Sequence, residues 1–171
     1  MLRMILSILI GAVFLASTSL GCQLSNGKFW NLNSQTGSFQ TNDIERAQKE
    51  IDFPLVLPGF LPNGIYTPPT VRGHIRGTLG NGEVVVAYNG QNMALLIHES
   101  TITRYVIGAT GQIELLVFDE TEVQRVTHVV NDRIIVIYSW EEGILSFKIE
   151  TNGIDEKDSE LIVASLIKYS K

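Results

Sequence analysis

The chain has 171 residues, with 13 Lys and Arg against 18 Asp and Glu, a formal net charge of −5 and a single cysteine. That balance argues against nucleic acid as a partner, because phosphate binding needs a basic face that an acidic chain does not offer. One cysteine also rules out a disulfide framework within the chain.

Residues 1–21 read as a secretory signal. Arg3 supplies the charged start, Met4 to Leu15 is almost entirely apolar, and small residues follow up to Gly21. The close, Leu20-Gly21-Cys22, resembles the lipobox of bacterial lipoproteins, in which a small residue precedes a cysteine that becomes diacylated and forms the new N-terminus. Gly21 and Cys22 match that pattern, while Ser19 stands where the family usually has leucine. The competing reading is an uncleaved membrane helix, which needs about 20 apolar residues. A lone cysteine placed where lipid chemistry needs it favours lipidation of Cys22. Both readings put the remainder outside the cytoplasm, and two acyl chains on Cys22 would hold it stably at the membrane.

Residues 22–41 are rich in Ser, Asn, Gln and Gly and lack periodicity, the composition of a flexible tether. Its reach as a coil would be roughly 25 Å. Phe29 and Trp30 could sit at the lipid headgroup level or dock on the domain.

Residues 42–171 are the size of one domain with a real core. Asn42 as a cap, with Glu45 three residues on and Ile44, Ala47 and Ile51 at helical spacing, predicts an opening helix. The stretch from Phe53 to Gly64 holds three of the five prolines among large apolar residues, so it reads as a packed, extended crossover. Short β-branched or aromatic runs predict strands at Glu83–Tyr88, Met93–Glu99, Gln112–Phe118, Val123–Val130, Arg133–Trp140 and Ile144–Glu150, with Val71–Arg76 and Thr101–Ile107 as further members. Asn81-Gly82, Asn89-Gly90, Asn131-Asp132 and Glu142-Gly143 supply turn residues between them. Leu145, Phe147 and Ile149 alternate with polar residues, while Ile134 to Tyr138, apolar throughout, reads as covered on both faces. A closing helix, capped near Asp155 or Asp158, carries Leu161, Ile162, Val163, Ala164, Leu166 and Ile167. The expected fold is α+β: a twisted antiparallel sheet of about six or seven strands packed with an N-terminal and a C-terminal helix.

Two stretches carry a resemblance. Ala47 to Pro54, followed by Val56-Leu57-Pro58-Gly59-Phe60-Leu61-Pro62-Asn63-Gly64, resembles the start of a bacterial extracytoplasmic domain of unknown function. That domain occurs in exported lipoproteins and at the C-termini of anti-sigma-factor-like and sporulation-associated membrane proteins. The close, Tyr138-Ser139-Trp140, an acidic-glycine turn at Glu141-Glu142-Gly143, a strand and a capped helix, is similar to the same family. The resemblance spans about residues 43 to 168 and implies a sheet-and-helix fold distantly similar to lipoprotein carriers and periplasmic stress sensors. It implies no catalytic residue, and a structural role for Trp140 and the prolines.

Candidate chemistry is sparse. His74, His98 and His128 lack the spacing of a zinc site, so no metal or other cofactor is expected. His98-Glu99-Ser100 has no nucleophile elbow around it and reads as ordinary strand. Residues 77–82 read as a hairpin turn, since the glycines come without the lysine of a phosphate loop, and Asp119, Glu120 and Glu122 read as a solvated turn rather than a calcium site. Arg72, His74 and Arg76 would share one strand face, either as a solvated edge or in contact with lipid phosphates or an acidic partner. The sequence therefore points away from an enzyme and towards a membrane-anchored binding or sensing module that meets an envelope protein. The alternative is a lipid or lipoprotein carrier with an apolar cavity between sheet and closing helix.

Overall fold

The computed structural model describes residues 29–31, 36–76, 82–105 and 113–171. The signal segment and Cys22 lie outside the described residues, as do residues 77–81 of the glycine-rich turn. In chain order the elements are β1 (Phe29–Asn31), β2 (Thr36–Thr41), α1 (Ile44–Gln48), β3 (Thr70–Arg76), β4 (Gly82–Asn89), β5 (Ala94–Ser100), β6 (Ile113–Phe118), β7 (Thr121–Val130), β8 (Arg133–Glu142), β9 (Leu145–Asn152) and α2 (Glu156–Ser170).

Among the described residues every strand pairing is antiparallel, in one nine-stranded sheet of order β1-β2-β3-β4-β5-β9-β8-β7-β6. Two meanders, β1 to β5 and β6 to β9, are stitched together where β5 pairs with β9. The α+β class holds, but the strand count exceeds the expected six or seven: eight strands of six residues or more, plus the three-residue β1. The surplus lies in the stretch expected to be a tether. Thr36 to Thr41 pairs along its whole length with β3, Phe39 opposite Gly73, and the Phe39 ring fills the space that a Cβ on Gly73 would need. Residues 101–105, expected to be strand, are not; 106 and 107 lie outside the described residues.

Tight turns set the register of the second meander. Asp119 (φ 47°) and Glu120 (φ 71°) join β6 to β7, and Asn131 (φ 51°) and Asp132 (φ 61°) join β7 to β8. Positive φ at both central residues gives the twist that matches paired strands.

The inner face carries the core. Val71, Val84, Val86, Leu95, Ile97, Phe147, Ile149 and Tyr138 are fully buried, and Ile162, Val163, Leu166 and Ile167 of α2 are equally buried. Asp155 caps α2, accepting from the Asp158 amide at 2.8 Å. Trp140 stacks on Phe147, centroids 4.9 Å apart. The cap of α1 is Asp43 rather than Asn42, because the Asp43 carboxylate accepts from the Arg46 amide at 3.0 Å. The helix stops at Gln48, whose side-chain amide donates to Phe53 O and accepts from Leu55 N, fastening the proline-rich segment that follows. Phe53 and Val56 are buried under it, and the Gly59 amide donates to Ser165 Oγ of α2. Ile134 is 59 % exposed, so the apolar run of β8 is not covered on both faces. It sits near the turn end of the strand, paired with Val129, which is also exposed.

Candidate functional site: the outer sheet face

Side chains alternate between faces along a strand, so the register decides which residues meet on the side away from α2. One row runs Arg72, Val85, His98, Lys148, Ser139, Gln124 and Leu115 across seven neighbouring strands. The next runs Thr70, Ala87, Leu96, Glu150, Ile137, Val126 and Ile113. A polar centre is thus flanked by apolar residues.

His98 is the hub of that centre. Its Nδ1 lies 3.8 Å from Glu83 and its Nε2 3.6 Å from Glu150, each too long for a hydrogen bond, and neither nitrogen has another partner among the described residues. Tyr105, from the segment leaving β5, packs edge-on to the imidazole at 5.8 Å and donates to Glu83 at 2.8 Å. Lys148 pairs with Glu150 at 2.8 Å and lies 5.4 Å from the Tyr105 ring centre. Burial first, then the Lys148 charge, pushes the His98 pKa below its ordinary value, against the pull of Glu150 and Glu83. Burial and the Glu83 hydrogen bond raise Tyr105. Both imidazole nitrogens are shut off from solvent, so His98 shapes this cluster from within and presents no polar atom at the surface of the face.

Arg72 and His74 share this face and are exposed. Their strand is not an edge, since β2 covers its other side. Arg76 continues β3, its side chain outside the described residues. His74 and His98 are separated by β4, and His128 lies on β7. Among the described residues no group of three or more His, Cys, Asp or Glu could hold a metal ion. The strand pleat sends Glu99 to the opposite face from His98 and Ser100, and Ser100 Oγ accepts from the Ile102 and Thr103 amides at 3.1 and 2.7 Å. No triad assembles from that tripeptide.

No protein-family model matches the chain, and neither a curated protein nor a solved structure is significantly similar to it. The resemblance to an extracytoplasmic lipoprotein domain therefore rests on the quoted motifs alone.

Two features escaped the sequence reading. Glu99 is fully buried on the inner face and accepts from the Val56 amide at 3.2 and 3.1 Å. Burial raises its pKa to about 8, against the Val56 bond, and with the Glu99 charge in reach burial also raises Tyr88 to about 12. Glu99 shares the parity of Leu95 and Ile97, which was a legible signal. Arg125 is the second: it binds Glu114 on β6 at 2.7 Å and Glu160 at 3.1 Å and Glu156 on α2, residues too distant in sequence to be linked by spacing. Burial opposes the Arg125 charge, but the carboxylates outweigh it and hold its pKa above the ordinary guanidinium value. Arg125 borders a cavity of ≈ 940 Å³ by the N-terminus of α2, with Met93, Ile134, Val136 and Ile154 among its lining.

Proposed function

We propose that this protein is a lipid-anchored extracytoplasmic binding or sensing module. It is held at the cell membrane through lipid on Cys22 and meets an envelope protein with the outer face of its sheet. The reading takes catalysis to be absent and assigns the domain to the lipoprotein and anti-sigma-factor-like kind that its motifs resemble. The observation that carries it is the contrast between the two faces. Under α2 and the proline segment the inner face is packed with buried side chains, and only its far end, at Val129 and Ile134, is open, while the outer face leaves Leu115 67 % and Val117 69 % exposed along β6. Clustered exposed apolar residues rimmed by polar ones mark interaction surfaces. Arg72 and His74 suit an acidic patch on such a partner. Among the described residues no helix is long and apolar enough to cross a membrane.

The carrier reading draws on the cavity beside Arg125, which has an apolar lining but also the charged groups of Arg133, Asp155 and Glu156. An organic extract of the purified chain separates the two: lipid in stoichiometric amount favours the carrier, and its absence favours the binding module. Labelling with a fatty-acid analogue tests the anchor. The wild-type chain is expected to take up label and Cys22→Ala to lose it; equal labelling would overturn the anchor.

A further inference from the structure

We propose that a second copy of this chain pairs with β6. The two β6 strands run antiparallel about a two-fold axis through Leu115, joining two sheets into one.

Strand β6 ends the strand order and bonds only to β7 among the described residues, so none of them pairs with its outer row of backbone N–H and C=O groups. Soluble sheets usually guard such an edge with lysine, proline, a bulge, a very short strand or a charge that points inward. Of these Ile113-Glu114-Leu115-Leu116-Val117-Phe118 has only the last, in Glu114 on the inner face, and its pairing with β7 is uninterrupted. Its one charge, Glu114, is already bound to Arg125, so two edges can approach without like charges meeting despite the net charge of the chain. On the outer face the strand leaves Ile113, Leu115 and Val117 in one stripe, the first 44 % exposed.

Self-pairing has few registers that keep outer faces together. An axis through Leu115 sets Leu115 against Leu115 and Ile113 against Val117, so all three exposed residues find apolar partners. An axis through Leu116 sets Ile113 against Asp119 instead. An axis between Leu115 and Leu116 turns one sheet over and splits the stripe. The first register therefore recommends itself on burial.

A six-residue edge is about 20 Å long, and with its stripe it buries less than the roughly 800 Å² per partner of a standard stable complex. The pair should be weak in dilute solution and strengthened when copies are confined together. Only that confinement rests on the lipid anchor proposed above; the pairing itself does not.

The test is site-specific disulfide trapping in the full chain, purified in mild detergent and mildly oxidised. The wild-type chain, with Cys22 as its one cysteine, gives the background. Leu115→Cys is expected to form a disulfide dimer roughly five-fold or more above that background, since facing Cα atoms lie within disulfide reach. Ile113→Cys or Val117→Cys alone leaves the thiols about 13 Å out of register, and each is expected to stay at background alone but to link when the two are mixed. Leu115→Lys is expected to lower the dimer fraction in light scattering over a concentration series. Background linkage at Leu115→Cys, or equal linkage at all three single positions, overturns the proposal and leaves the edge to a strand from a different protein. Failure of fatty-acid labelling alone would overturn the anchor and leave this pairing standing.

Discussion

Replacing Glu99 by glutamine should flatten the pH dependence of stability. Glu99 is fully exchanged from water into the core, where its carboxyl takes the Val56 amide, and its pKa is raised from 4.5 to about 8. Between those two values the folded chain keeps a proton that the unfolded chain has released. Stability therefore falls as pH rises through that window, by about 1.4 kcal/mol per pH unit. It is flat below 4.5, where both forms are protonated, and flat again above about 8. From pH 5 to pH 8 the loss amounts to about 4 kcal/mol at most. Glutamine keeps an acceptor for Val56 but has no proton to lose, so its own cost, about 1–3 kcal/mol for an imperfectly paired amide, is the same at every pH. Tyr88, raised to about 12, titrates above this range and does not confuse it. Urea unfolding followed by tryptophan fluorescence from pH 5 to pH 8.5 should show the wild type losing its advantage over Glu99→Gln as pH rises. A wild-type minus variant difference that stays constant across that range would refute the buried, neutral glutamic acid.

Phe39→Ala should cost about 3 kcal/mol in the same assay, because the ring is buried over Gly73; a cost below about 0.5 kcal/mol would return residues 36–41 to a tether. Glu120→Gly should stabilise by about 1 kcal/mol, since a non-glycine residue at φ 71° bears a left-handed penalty that glycine lacks. That gain is a rise of about 3 °C in Tm by calorimetry, and an unchanged or lower Tm would show that the side chain compensates for the backbone.

Most of the sheet was legible because its strands obey simple rules. The residues Leu145, Phe147 and Ile149 alternate with polar neighbours and are buried as that pattern requires. Turn residues at Asn131-Asp132 and Glu142-Gly143 bracket β8 as read. Strand β2 was hidden by its Ser, Gln and Gly content. Its one strong signal is Phe39, and the reason for that residue, the gap above Gly73, lies on another strand. The stretch from Ile134 to Tyr138 misled because an apolar run reports hydrophobicity and not cover: Val136 and Tyr138 belong to the core cluster that holds the buried residues of α2, while Ile134 is open.

The candidate site was legible only at one margin. Arg72 and His74 do share a face opposite the buried Val71 and Ile75, as strand alternation implied. The hub itself depends on β5 pairing with β9, which brings His98 opposite Lys148 and beside Glu150. That pairing joins strands separated by the whole second meander, and no local pattern announces it. The same long-range pairing hid the contrast between faces that supports the binding reading.

The central claim, that the outer face of the sheet meets an envelope protein, is tested most directly by photo-crosslinking in living cells. A photoreactive residue is placed at Arg72 or His74 on that face, and at Leu161 on the exposed side of α2 as the comparison. The account requires one discrete adduct from the outer-face positions, heavier than a dimer of this chain, and none from Leu161. Adducts of equal yield from all three positions, or none from Arg72 and His74, would contradict it.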